Sequence, residues 1–168
     1  LGKKPTSFLM AMARKIEELT PTMLPAGTKP LLIGGGNLFS PDALGQHLLE
    51  KADGAGFVLA MFQKMGMKAS AYGPEDLLSP DQVLDNASSV FTAGGIPLLA
   101  TNIECQKAQE AKCQQRVARQ VVFEVDGVKI GLLALFPVVH NARLPKSAAE
   151  MIKFTDPVKA YKEAREKL

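Results

Sequence analysis

The chain has no tryptophan, and aromatic residues make up only 6% of its 168 positions. Its core therefore rests on Leu, Val, Ile, Ala and Met. The seven methionines serve as flexible filler for irregular gaps before they serve as a Met-lined metal site. No stretch approaches the ~18 consecutive apolar residues of a membrane span, and no signal peptide is present, a pattern that a mature or trimmed chain shares. The two histidines, His47 and His140, lie too far apart in sequence to form a His-rich metal cluster. The two cysteines, Cys105 and Cys113, lack the CxxC spacing of a zinc site, and no CxxCH haem attachment occurs. No His or other base lies near them to raise a nucleophilic thiolate. The nucleophile elbow GxSxG, the Walker loop and GxGxxG are all missing, and Gly34–Gly36 alone is too short to cradle a phosphate. No Lys/Arg run with interleaved aromatics offers a nucleic-acid surface, so no nucleic-acid partner is expected.

What is present is an ordinary globular composition: 46% hydrophobic, 22% charged, and a net charge of +3 with both signs interleaved. The length fits one domain with a substantial core. Residues 6–20 carry a helical apolar stripe (Phe8, Leu9, Met12, Ala13, Ile16, Leu19), ended by the prolines of "PTMLPAGTKP". "LLIGG" predicts a short buried strand. The segment 40–66 predicts one or two helical pieces, with Ser40 as N-cap, Pro41 at the first helical position and Gly66 at the close. A second strand is expected within 67–73, then a helix opened by a second Ser-Pro-Asp, then a third buried strand in "IPLLATNI". A charged, Gln-rich cysteine loop follows. "RQVVFEVDGVKIGLLALFPV" predicts a hairpin turning at Asp126-Gly127, and its apolar second run predicts a central strand covered on both faces. A Pro-bounded loop and a final helix in "DPVKAYKEAREKL" complete the chain. The alternation implies an α/β layered fold, a mostly parallel sheet with helices on both faces and one inserted β-hairpin.

Ligands in such sheets sit at the carboxyl ends of the strands. Here those ends bring forward Asn37, the carboxylates Glu75 and Asp76, Asn102 and His140. Oxygen and nitrogen donors of this kind hold divalent metals. Each also has a plain structural role available: Asn after Gly forms turns, Glu-Asp after Pro starts helices, and a lone loop His is commonly solvated. His47, in a helical stretch, reads as a surface or interface residue. Cys105 and Cys113 either close a local disulfide in an oxidising compartment or stand as two free thiols.

The order of segments resembles the N-terminal metallophosphoesterase domain of the 5′-nucleotidase family. "IGGGNLFSP" stands where that family has Ala-Gly-Asp-hydrophobic-Phe. "FVLAMFQKMGMKASAYGPEDL" stands where a helix leads through a strand into Gly-Asn-His-Glu. "IPLLATNIE", "VDGVKIGLLAL" and "DPVKAYK" follow in the family's order. The resemblance covers residues 6–168 and implies one partial metallophosphoesterase-like domain over 1–168. It also implies a periplasmic or secreted location. By the same correspondence the chain begins after the place of the family's Asp-x-His strand and ends before the segments bearing its later histidines.

The resemblance fails at the chemistry. The family's metal-bridging Asp corresponds to Asn37, and its Gly-Asn-His-Glu to Gly73-Pro74-Glu75-Asp76. The metal-binding Asn thus becomes Pro74, and the His that assists phosphate transfer becomes Glu75. A neutral Asn37 supplies none of the negative charge that offsets repulsion between two dications, and losing one such transition-state contact costs about 3–4 kcal/mol. The reading that follows is a degenerate, non-catalytic domain without cofactor, whose role is binding or assembly and whose open sheet edge another chain or segment covers. The alternative is a metal-dependent phosphoesterase using Mn, Zn or Mg, with Asn37, Glu75 and Asp76 recruited and its other ligands outside this chain. A redox module built on Cys105 and Cys113 is a third.

Overall fold

The structure, a computed structural model, describes residues 8–28, 30–39 and 47–168, with the side chains of residues 8 and 9 left aside. The expected Ser40 cap and Pro41 helix start lie outside the described residues. The first helix, α1 (Phe8–Met23), runs past Pro21. A proline removes only one amide bond, and here it falls in the last turn, where the Thr20 hydroxyl donates back to the Ile16 carbonyl at 2.7 Å. Next come β1 (Leu32–Gly34), α2 (Ala52–Lys64) and β2 (Met67–Ala71). Gly66, at φ 86°, makes the left-handed step from α2 into β2. A 3₁₀ turn at Asp76–Leu78 leads to α3 (Asp81–Ala93) and β3 (Leu98–Leu99).

Strands β1, β2 and β3 form a parallel sheet in that order. Leu99 also bridges Ala118 in parallel. Beneath the sheet, Phe39, Phe62, Phe91, Leu98 and Val83 join the main core. Phe39 meets Phe91 edge-on at 5.8 Å and Tyr72 at 6.3 Å, so the loop after β1 is anchored in the core by its own aromatic ring. The other face carries Ala69 and Leu99 against Ala134, with Leu132 and Phe123 around them.

The stretch "IPLLATNI" does not make one strand. It divides into β3 and β4 (Ile103–Cys105), and β4 pairs antiparallel with β7 (Ile152–Phe154). The two residues between β3 and β4 explain the break. Thr101 Oγ1 donates to the Arg119 carbonyl at 2.6 Å and accepts the Ala134 amide at 2.9 Å. Asn102 Nδ2 donates to the carbonyls of Phe136 and Thr155, and its Oδ1 accepts the Phe136 amide. These buried side chains take up the bonds that a continuing strand would have made.

The cysteine segment, expected as a loop, holds a 3₁₀ turn (Lys107–Gln109) and α4 (Glu110–Arg116), with a disulfide between Cys105 and Cys113. Of the two alternatives left open by the sequence, the disulfide is the one realised.

Strands β5 (Val121–Val125) and β6 (Val128–Leu132) form the expected hairpin. Asp126 and Gly127 both have positive φ, 51° and 78°, as a type I′ turn requires. The expectation of a central covered strand is corrected. Among the described residues β6 pairs only with β5, and Val128 is 61% exposed. An apolar run names a strand but does not name its neighbours. β1 likewise lies at a sheet edge with Ile33 exposed, so it is not the fully buried strand expected. A 3₁₀ segment (Val138–Arg143), α5 (Lys146–Met151), β7 and α6 (Pro157–Arg165) complete the chain. Asp156 caps α6 by accepting from the amides of Val158 and Lys159.

Candidate functional site

The loops after β1 and β2 meet backbone to backbone. Gly36 has φ 100°, and a Cβ added there would lie 2.6 Å from the Gly73 amide nitrogen. A Cβ on Gly73 would lie 1.8 Å from Asn37 Oδ1. Neither position admits a larger residue, so these two glycines are fixed by close approach. Asn37 itself sits in the left-handed region at φ 55°, which Asn tolerates better than most residues.

That backbone conformation turns the amides after Gly36 toward one point, as in a backbone nest for an anion. The anion is supplied from within. Asp76, 1% exposed, places its carboxylate there. Its Oδ2 accepts the amides of Asn37 at 2.8 Å and Gly73 at 2.6 Å, and its Oδ1 accepts the Phe39 amide at 2.7 Å. Asn37 Oδ1 returns the contact by accepting the Glu75 amide at 3.1 Å. Burial holds the Asp76 carboxyl above the ordinary aspartate range, and the surrounding amides pull it the other way without overcoming burial. Asn37, Gly73, Pro74, Glu75 and Asp76, which the sequence places 39 positions apart at the widest, are thus one cluster.

Beside it lies a cavity of about 350 Å³ at the strand ends, walled by Ile33, Ala71, Pro74, Leu99, Phe136 and His140 among others. His140 Nδ1 is buried and has no hydrogen-bond partner among the described residues. His140 also lines a smaller recess with Pro74 and Glu75. Asn102 does not face this cavity; its amide is spent on Phe136 and Thr155, tying the third strand end to two later segments. His47 sits apart on an exposed surface, 3.9 Å from Glu50. Cys105 and Cys113 are joined to each other. Among the described residues no three His, Cys, Asp or Glu side chains converge as metal ligands.

Two residues that the sequence did not single out support the cluster. The Tyr72 hydroxyl, next to Gly73, donates to the Arg116 carbonyl at 2.8 Å, and burial pushes its ionisation well above the usual tyrosine range. Arg116, only 6% exposed, reaches Asp85 through Nε at 2.6 Å and Asp81 through Nη1 at 3.4 Å. An arginine in "CQQRVAR" carries no sequence signal that sets it apart from solvated ones. The i, i+4 spacing of Asp81 and Asp85 on one helix face was the available hint.

No protein-family model and no curated protein sequence matches the chain. Among solved structures, the chain is similar to the NAD nucleotidase of Haemophilus influenzae (NadN). The TM-score is 0.64 at 18% sequence identity, over 95% of this chain and 29% of that one. The chain therefore spans less than a third of the solved structure it matches. That likeness shows the fold alone: a mixed α/β layer structure with a parallel three-stranded sheet and helices around it.

Proposed function

We propose that this chain is a partial 5′-nucleotidase-like domain whose strand-end site has become structural, and that its role is binding or assembly. The observation that carries the reading is the Asp76 clasp. A metal site needs oxygens free to coordinate, yet both Asp76 oxygens accept backbone amides and Asn37 Oδ1 accepts a third residue's amide. Pro74 has no side-chain donor at all. This donor set does not fit the pair of dications that the fold family implies, which would use a bridging carboxylate.

The open sheet supports the assembly half. Ala134 and Phe136 bond toward Thr101 and Asn102. The backbones of Leu133 and Leu135, which alternate with them, make no hydrogen bond among the described residues. Among the described residues, β1 pairs on one side only, beside the same cavity. Strand-spaced unpaired groups on both sides of one groove suit an added strand from another chain or segment, since unpaired backbone groups out of water cost free energy. An extracytoplasmic location belongs to this proposal, and the disulfide supports an oxidising compartment.

The test is calorimetric titration with Mn²⁺ and Zn²⁺, alongside turnover of p-nitrophenyl phosphate. The proposal expects neither stoichiometric binding nor turnover. Metal bound at one or two equivalents, lost in Asn37→Ala with turnover lost too, would establish the alternative, a phosphoesterase completed by ligands outside this chain. The buried Nδ1 of His140, without a hydrogen-bond partner among the described residues, is the observation that favours that alternative.

A further inference from the structure

We propose that the Cys105–Cys113 disulfide is a redox-sensitive latch on the Tyr72–Asp76 segment, opened by a dithiol reductant. The inference stands apart from the proposed function, because it concerns what holds the clasp in place. α4 is seven residues long, too short to keep a helical shape unaided, so its position depends on its anchors. The disulfide ties Cys113 to the end of β4. Arg116 and Lys112 reach Asp81 and Asp85 of α3. The Arg116 carbonyl accepts the Tyr72 hydroxyl. Tyr72 directly precedes Gly73, and Asp81 opens the helix that follows the Asp76 turn. α4 thus grips the clasp segment from both of its sequence ends.

Cys113 has no exposure and Cys105 is part-exposed, so an incoming thiolate meets the Cys105 sulfur first. The S–S bond breaks, and its electron pair leaves on Cys113 Sγ, which takes a proton. The reductant's second thiol then displaces Cys105 as a thiol and departs as a cyclic disulfide. The protein gains two thiols and the dithiol loses two electrons and two protons. Without the covalent anchor the short helix frays, the Arg116 carbonyl moves off, and the Tyr72 hydroxyl loses that acceptor.

Hydrogen exchange read by mass spectrometry tests this on the oxidised protein and after dithiothreitol. Amides of 107–117 and of 72–78 should both exchange roughly tenfold faster or more on reduction, while α2 keeps its protection. Acceleration confined to 107–117 would overturn the latch, and so would uniform loss of protection, which would make the bond a global staple. Tyr72→Phe isolates the link: reduction should still loosen 107–117 but leave 73–78 little changed from the oxidised variant. A persisting difference at 73–78 in that variant would overturn coupling through the hydroxyl.

Discussion

Replacing Asp76 by alanine removes one carboxylate and leaves three backbone amides without their acceptor. The Phe39 and Gly73 amides are buried, whereas Asn37 lies at the surface, where water can replace the lost oxygen. A buried donor left unsatisfied costs about 1–3 kcal/mol, so two such donors set the scale, and the third adds little. The cavity left by the small side chain adds less than the amides do. Asp76→Ala should therefore destabilise the fold by about 3–5 kcal/mol, a large fraction of an ordinary domain's stability. Asp76→Asn should do nearly as much harm, because its amide group would point a donor at donors. Urea unfolding followed by circular dichroism near pH 7, with the m-value compared between variants, measures the change. A loss below about 1 kcal/mol with an unchanged m-value would refute the reasoning and free Asp76 for another role.

Other perturbations should follow the same physics. Gly73→Ala puts a Cβ into Asn37 and should cost at least about 2 kcal/mol by the same unfolding measurement. Asn102→Ala loses the buried amide that joins β4's approach to Phe136 and Thr155; about 2–4 kcal/mol is expected. The pH dependence of Asp76 has a definite sign. Its folded pKa lies above the unfolded value of about 3.9 because burial disfavours the charge. The linked stability is complete below the unfolded value and is lost as pH rises through the folded one. Wild type should thus gain on Asp76→Asn as pH falls through that window, and a gain in the opposite direction would contradict the burial argument.

Much of the fold was legible because its signals are local. Asp126-Gly127 requires a primed turn, Gly66 a left-handed exit from a helix, and Asp156-Pro157 a capped start; each forms as the residues dictate. The failures share a different cause. The division of "IPLLATNI" depends on Thr101 and Asn102 finding backbone partners far along the chain, which no window of sequence displays. β7 is three residues long and exists only through β4. The openness of β6 and β1 depends on neighbours, and strand composition is silent about those. At the site, the sequence placed Asn37, Glu75 and Asp76 on adjacent strand ends, and the structure brings them together. It could not distinguish a ligand carboxylate from a clasp, because the difference lies in which way the amides of the glycine loop point.

The central claim is that Asp76 serves the backbone and not a metal. Paramagnetic broadening tests it directly. Adding Mn²⁺ to isotope-labelled protein and recording amide spectra should leave the Asn37, Phe39 and Gly73 signals as sharp as those of α2. Selective loss of those three signals at low metal, with other amides spared, would place a cation at the clasp and contradict the account.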